Sequence, residues 1–316
     1  MAQVAYSQCH SLLVNAVFLL LPVCTHSAGS HSMDESGLGD ITSLLQVSSR
    51  PAIVAGMHAA HTPGKRDLAM AYLPYNFGHT VAEVALRSGI KWGDCGQRAE
   101  FDADCLGHRR SEVTGCPLMY TPGKLWPRHL AEAYFGNRTV FGILRDPYER
   151  LVAQFRGSGL FRHPVFYATC NVNAAVKAMM REYISQVEAG EPYSSSCENL
   201  PQAEFFDQPY GATVTVDNRR FPISANELLM EHGYNDVQIA AGEISHVNGC
   251  NHVWAGDLDS EARALVRQVY ARDFELLCER LGYCDFEEST CITHVPGMCP
   301  PQLFTWSDED GVFLKN

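Results

Sequence analysis

The sequence lacks a basic excess: 24 Lys and Arg stand against 36 Asp and Glu, a net charge of −12. A polyanion would have to approach against that field, so non-specific nucleic-acid binding is not expected. A G-x-x-x-x-G-K-[ST] stretch is also missing, which argues against a nucleoside-phosphate kinase on an ordinary phosphate loop. There is no internal repeat. The apolar run "LLVNAVFLLLPVC" (Leu12 to Cys24) is too short for a comfortable membrane span, and its length suits a signal-peptide core. The ten residues before Ser11 lack the Lys or Arg that usually precedes such a core. The alternative for this run is a buried helix or strand. We assign 1–28 to a signal peptide or short signal anchor, with 12–24 as the part that would engage a membrane.

Cysteine is what the chain has in number. Setting aside Cys9 and Cys24 leaves ten of the twelve, from Cys95 to Cys299. The C-terminal four have no C-x-x-C spacing and no histidine at finger spacing, so a zinc site is disfavoured. An even number in an exported chain points to disulfides, whose connectivity the spacing leaves open. Asn137-Arg138-Thr139 is a glycosylation sequon, meaningful in a lumenal chain. The expected location is the secretory pathway, either the Golgi lumen or outside the cell. Residues 29–50 are rich in Ser and Gly and read as a linker. A folded domain is expected over 51–299, and an acidic, mobile tail over 300–316.

Three segments carry secondary-structure signals. "LAMAYL" (Leu68 to Leu73) reads as a short buried strand, followed by the turn "PYNFGHT" and a helix with a Thr80/Glu83 capping box and a stop at Gly89. "TVFGIL" reads as a second buried strand. Arg145 ends it, Asp146 caps the next helix, Pro147 opens it, and Gly157 is the expected stop. In "SEARALVRQVYARDFELLCERLGY", Leu265, Val269, Phe274, Leu277 and Leu281 form an apolar stripe closed by Gly282. Two strand–turn–helix units predict an α/β fold, a central parallel sheet flanked by helices. Ligands of such sheets bind beyond the carboxyl ends of the strands, where both turns lie.

A guanidinium at a strand end beside a helix start suits a phosphate, through two hydrogen bonds and the positive end of the helix. The competing reading pairs Arg145 with Glu149 or Asp146. Together, "FGILRDPYERLVAQFR", "LPYNFGHT", "NLPQAEFF" and "VYARDFELLCERLGY" resemble segments of the membrane-type carbohydrate sulfotransferases: the 3′-phosphate-binding segment, the 5′-phosphosulfate loop, a Pro-Gln segment and the C-terminal Tyr-x-x-Asp-Phe helix. The resemblance spans about residues 66 to 284. It implies a three-layer fold of the phosphate-loop kind. It also implies the donor 3′-phosphoadenosine 5′-phosphosulfate (PAPS), a glycan acceptor and no metal. The donor-binding residues it implies are Tyr75, Asn76, Phe77, Gly78, His79, Thr80, Arg145 and Arg150.

Two departures from the family pattern bear on function. The loop lysine is replaced by Tyr75, and the serine eight residues after the arginine by Ala153. His79, if protonated, is one substitute cation; Lys124 is another, and His129 or His108 could act as base. Each also has a plain reading, as a turn histidine, a solvated lysine or a structural histidine. Arg150 and Arg156 lie on the same helix as the arginine motif; Arg150 could reach the nucleotide, and a surface pair reads equally well. Arg219 and Arg220 read as a solvated turn or a contact to an acidic sugar, and Trp92, Trp126 and Trp254 as core residues or sugar-stacking rings. Alternatives to the enzyme are a non-catalytic relative that binds nucleotide or glycan, and a disulfide-bonded secreted protein of structural role.

Overall fold

A computed structural model describes residues 65–93, 95, 105–106, 109–162, 168–244, 249–293, 295, 297–300, 304–307 and 311–314. The expectations for 1–28, 12–24, 29–50 and His108 lie outside these residues. Three parallel strands, β1 (Leu68–Met70), β2 (Thr139–Leu144) and β3 (Val214–Asp217), form a sheet in the order β1–β2–β3. Leu68 faces Thr139 in register, and Phe141 faces Val214. The two strands predicted from apolar runs are those that pair first. β1 and β2 are buried almost throughout, as strands covered on both faces must be.

Helices flank the sheet. α1 (Gly78–Arg87) follows β1, α2 (Arg128–Tyr134) precedes β2, and α3 (Pro147–Arg162) follows it. Next come α4 (Val172–Glu188) and, after β3, α5 (Ile223–Glu231), α6 (Ser260–Val269) and α7 (Ala271–Leu281). One apolar cluster gathers the strands with α1, α2 and α5; Trp92 and Trp126 belong to it, so both are core residues. A second joins α3, α4, α6 and α7 through Tyr148, Leu151, Met180, Val266 and Phe274. The α/β class expected from the two strand–turn–helix units is present as this small sheet and its helices.

Local signals fix some helix ends and not others. Asp146 caps α3, its Oδ1 accepting the amides of Tyr148 at 2.9 Å and Glu149 at 3.1 Å. Gly89 and Gly282, both at positive φ, close α1 and α7. Thr80 does not cap α1: Tyr75 and Phe77 take left-handed φ of 64° and 62°, so the chain turns earlier and the helix starts at Gly78. Gly157 does not stop α3, which runs on to Arg162, since glycine in a helix interior costs only about 1 kcal/mol against alanine. The long C-terminal stripe is broken at Tyr270 into α6 and α7. The tail, expected to be mobile, contains an antiparallel pair, β4 (Phe304–Ser307) with β5 (Gly311–Leu314).

All ten expected cysteines are bridged, as Cys95–Cys105, Cys116–Cys197, Cys170–Cys250, Cys278–Cys284 and Cys291–Cys299. Five disulfides fit an oxidising compartment, hence a secreted or lumenal protein. Asn137 is exposed at the turn before β2, where a glycan has room. Among the described residues no helix is long and apolar enough to cross a membrane.

Candidate functional site

The carboxyl ends of β1 and β2 open on a cleft of about 350 Å³, partly continuous with solvent. Its walls come from the turn after β1 (Pro74, Tyr75, Phe77, Gly78, His79, Thr80) and from Arg145, Ala153 and Arg156. The two stretches singled out in the sequence therefore face one space. Gly78 is required there: a Cβ at that position would lie 2.6 Å from the Tyr72 ring. The uncapped start of α1 adds the positive end of a helix to the same wall.

Arg145 is 6 % exposed. Its Nη1 donates to the Tyr75 carbonyl at 2.8 Å, its Nε lies 3.5 Å from Glu149, and its guanidinium sits 5.0 Å from the centre of the Phe77 ring. Arg145 thus lines the cleft and, as the competing reading has it, pairs with Glu149. Glu149 is itself held by the Thr290 hydroxyl at 2.6 Å and by Asn218 at 3.2 Å. Burial lowers the Arg145 pKa from its ordinary value, with Glu149 opposing.

Arg156 is the cation that sequence reasoning passed over. It is 8 % exposed, and Nη2 donates to the backbone carbonyls of Val253 and of Asn251, the latter at 3.2 Å. Its Nε and that of Arg145 are buried without a hydrogen-bond partner. Burial, then repulsion from Arg145, pushes the Arg156 pKa down to about 10. Two guanidinium groups that repel each other beside a cleft are an arrangement an anion relieves. The signal was present in the spacing: 149, 152–153 and 156 recur at helical intervals on one face of α3.

The other candidates fall elsewhere. Lys124 does not line the cleft; its Nζ donates to Glu204 at 2.7 Å and Asp207 at 2.8 Å, and Arg272 takes the second oxygen of each carboxylate. Burial opposes the charged lysine, but the bonds to Asp207 and Glu204 outweigh it and its pKa is raised. Its charge is compensated twice, away from the cleft where a replacement for the loop lysine would lie. His129 is exposed on α2 and does not line the cleft. His79 is exposed at the cleft, its ring edge-on to Tyr72 at 5.5 Å. Arg150 does not line the cleft either. It is 1 % exposed, and it ties the Pro74 carbonyl (3.2 Å) to the Glu198 carbonyl (2.8 Å) beneath the loop. Arg219 pairs with Glu288 and Arg220 with Glu227.

Gln202 joins the four sequence segments. Its Oε1 accepts from the Arg145 amide at 3.1 Å and from Asn76 Nδ2 at 2.5 Å, and its Nε2 donates to the Arg145 carbonyl at 2.8 Å. Asn76 also donates to the Ile143 carbonyl at 2.7 Å, so this residue holds the loop in place from below. Asp273, fully buried on α7, accepts the amides of Gln202 at 2.9 Å and Ala203 at 2.8 Å. Burial raises the Asp273 pKa against the pull of Arg150 and these amides.

Asp146 gives a pH-dependent expectation. Burial, then the charge of Glu149, pushes its pKa up to about 7 from 3.8. A carboxyl whose pKa is higher folded than unfolded adds stability below the unfolded value, and that stability is lost as pH rises through the folded one. Stability to denaturant should therefore fall between about pH 4 and pH 7. Asp146→Asn, which keeps the cap, should flatten that fall, as urea unfolding at several pH values would show.

These features define an α/β protein with a cleft at the carboxyl ends of its strands, lined by Arg145 and Arg156. No family model, curated protein or solved structure matches the chain.

Proposed function

We propose that the protein is a PAPS-dependent sulfotransferase acting on a glycan in the secretory pathway, on a fold of the phosphate-loop kind. The observation that carries this reading is the shared cleft: the turn after β1, the start of α1, Arg145 and Arg156 all line it. A nucleotide with anions at both ends matches such a site. The 5′-phosphosulfate would lie against the Tyr75–Thr80 turn and the 3′-phosphate between Arg145 and Arg156, whose second guanidinium offsets the loss of a hydroxyl at Ala153. Sulfuryl transfer, like phosphoryl transfer, is served mainly by positioning and by stabilising spread negative charge. His79 is the side chain in the turn able to carry a charge near the leaving oxygen. The Golgi is the compartment this reaction implies.

A non-catalytic nucleotide-binding relative is the second reading, favoured by one observation: among the described residues no lysine lines the cleft. Calorimetry tests the donor site shared by both readings. The purified protein should bind 3′-phosphoadenosine 5′-phosphate (PAP) in the micromolar range and 5′-AMP at least about tenfold more weakly, because AMP lacks the 3′-phosphate. A folded protein that binds neither at millimolar concentration would overturn the donor-site reading. Release of PAP from PAPS then separates the enzyme from its non-catalytic alternative.

A further inference from the structure

The residue that replaces the loop lysine is not idle. Tyr75 lines the cleft, and its phenol donates a hydrogen bond to the Glu198 carboxylate. We propose that Tyr75 is a catalytic residue and Glu198 a positioning carboxylate behind it, together forming a proton relay for sulfuryl transfer to a hydroxyl; this rests on the donor-site reading above.

The pair is built from two segments that have little local reason to meet. Arg150 stitches them, donating to the carbonyl of Pro74, beside Tyr75, and to that of Glu198. The Cys116–Cys197 bridge fixes the residue before Glu198. The Tyr75 carbonyl accepts from Arg145, so the phenol is referenced to the anion site itself. Non-glycine residues at positive φ concentrate here: Tyr75, Phe77, Ser195, Ser196 and Cys197 are five of the nine among the described residues. Each such residue costs more than a partly exposed hydrogen bond returns. Three in succession ahead of Glu198 are therefore not explained by the stability of the Tyr75–Glu198 bond. They are explained if the position of the carboxylate is what matters.

The step balances as follows. The acceptor oxygen forms a bond to sulfur while the bond from sulfur to the 5′-phosphate oxygen breaks, and that electron pair leaves with PAP. The acceptor proton passes to Tyr75 Oη as the phenolic proton passes to Glu198, which later releases it to solvent. A neutral phenol can do this only with a carboxylate behind it.

The test compares two reactions of the whole chain. Release of PAP from PAPS in water uses a hydroxyl acceptor that must lose a proton. Exchange between PAP and p-nitrophenyl sulfate moves none, because the nitrophenol leaves as its anion. In Tyr75→Phe and Glu198→Gln, the ratio of release to exchange should fall by about 100-fold. Melting temperature and PAP affinity report whether each variant is folded. A wild-type protein that binds no PAP overturns the donor-site reading and the relay with it. A wild-type protein that binds PAP without releasing it from PAPS overturns the enzyme reading and the relay, and leaves the donor site standing. Folded variants whose ratio is unchanged, or whose release and exchange fall together, overturn the relay alone.

Discussion

Arg145→Ala is expected to weaken PAP binding by about 100-fold, and Arg156→Ala by at least about tenfold, measured by calorimetry at fixed salt. A hydrogen bond to a charged group contributes about 1.5–3 kcal/mol, and a guanidinium can give two to one phosphate. Arg145→Ala has a second consequence, since it leaves the buried Glu149 without its ion-pair partner, a loss of about 3–5 kcal/mol in buried pairs. The double variant Arg145→Ala/Glu149→Gln removes that complication. Arg156 has no carboxylate within ion-pair distance among the described residues and anchors on backbone carbonyls, so its variant is the cleaner probe. The two effects should not add, because both side chains would contact one anion. Affinity that survives in both variants would move the anion out of this part of the cleft.

Removing the Cys116–Cys197 bridge should produce a large loss of stability. It joins residues 81 apart in sequence, and on the chain-entropy account a loop of that length contributes about 4–5 kcal/mol. The Cys116→Ser/Cys197→Ser variant should therefore unfold at markedly lower denaturant concentration. It should also lose catalysis out of proportion to PAP binding, because the bridge holds the segment that presents Glu198 to Tyr75, whereas Arg145 directly follows β2 and Arg156 stands on α3. The Cys278–Cys284 bridge spans only 6 residues at the end of α7. Its removal should cost less, and comparing the two variants by urea unfolding checks the dependence on loop length.

The sequence by itself determined the elements whose signals are local. Apolar runs made β1 and β2, the Asp146-Pro147 start made α3, Gly89 and Gly282 closed their helices, and an even set of cysteines bridged completely. It also marked the turn after β1 and Arg145 as parts of one site, because both follow strands of a parallel sheet. Tertiary structure decided the charge of that site. Lys124 and Arg156 are both basic residues near motifs, and no local rule separates them. Packing gave Lys124 two carboxylates, Glu204 and Asp207, and gave Arg156 only backbone carbonyls, so one charge is spent internally and the other is left for the cleft. Arg150 likewise belongs to the motif helix, yet its face turns it under the loop as a clamp. The partner of Tyr75 lies 123 residues away in sequence. It is reached only because Arg150 and a disulfide bring two left-handed segments together, and interactions of that range leave no trace in spacing or periodicity.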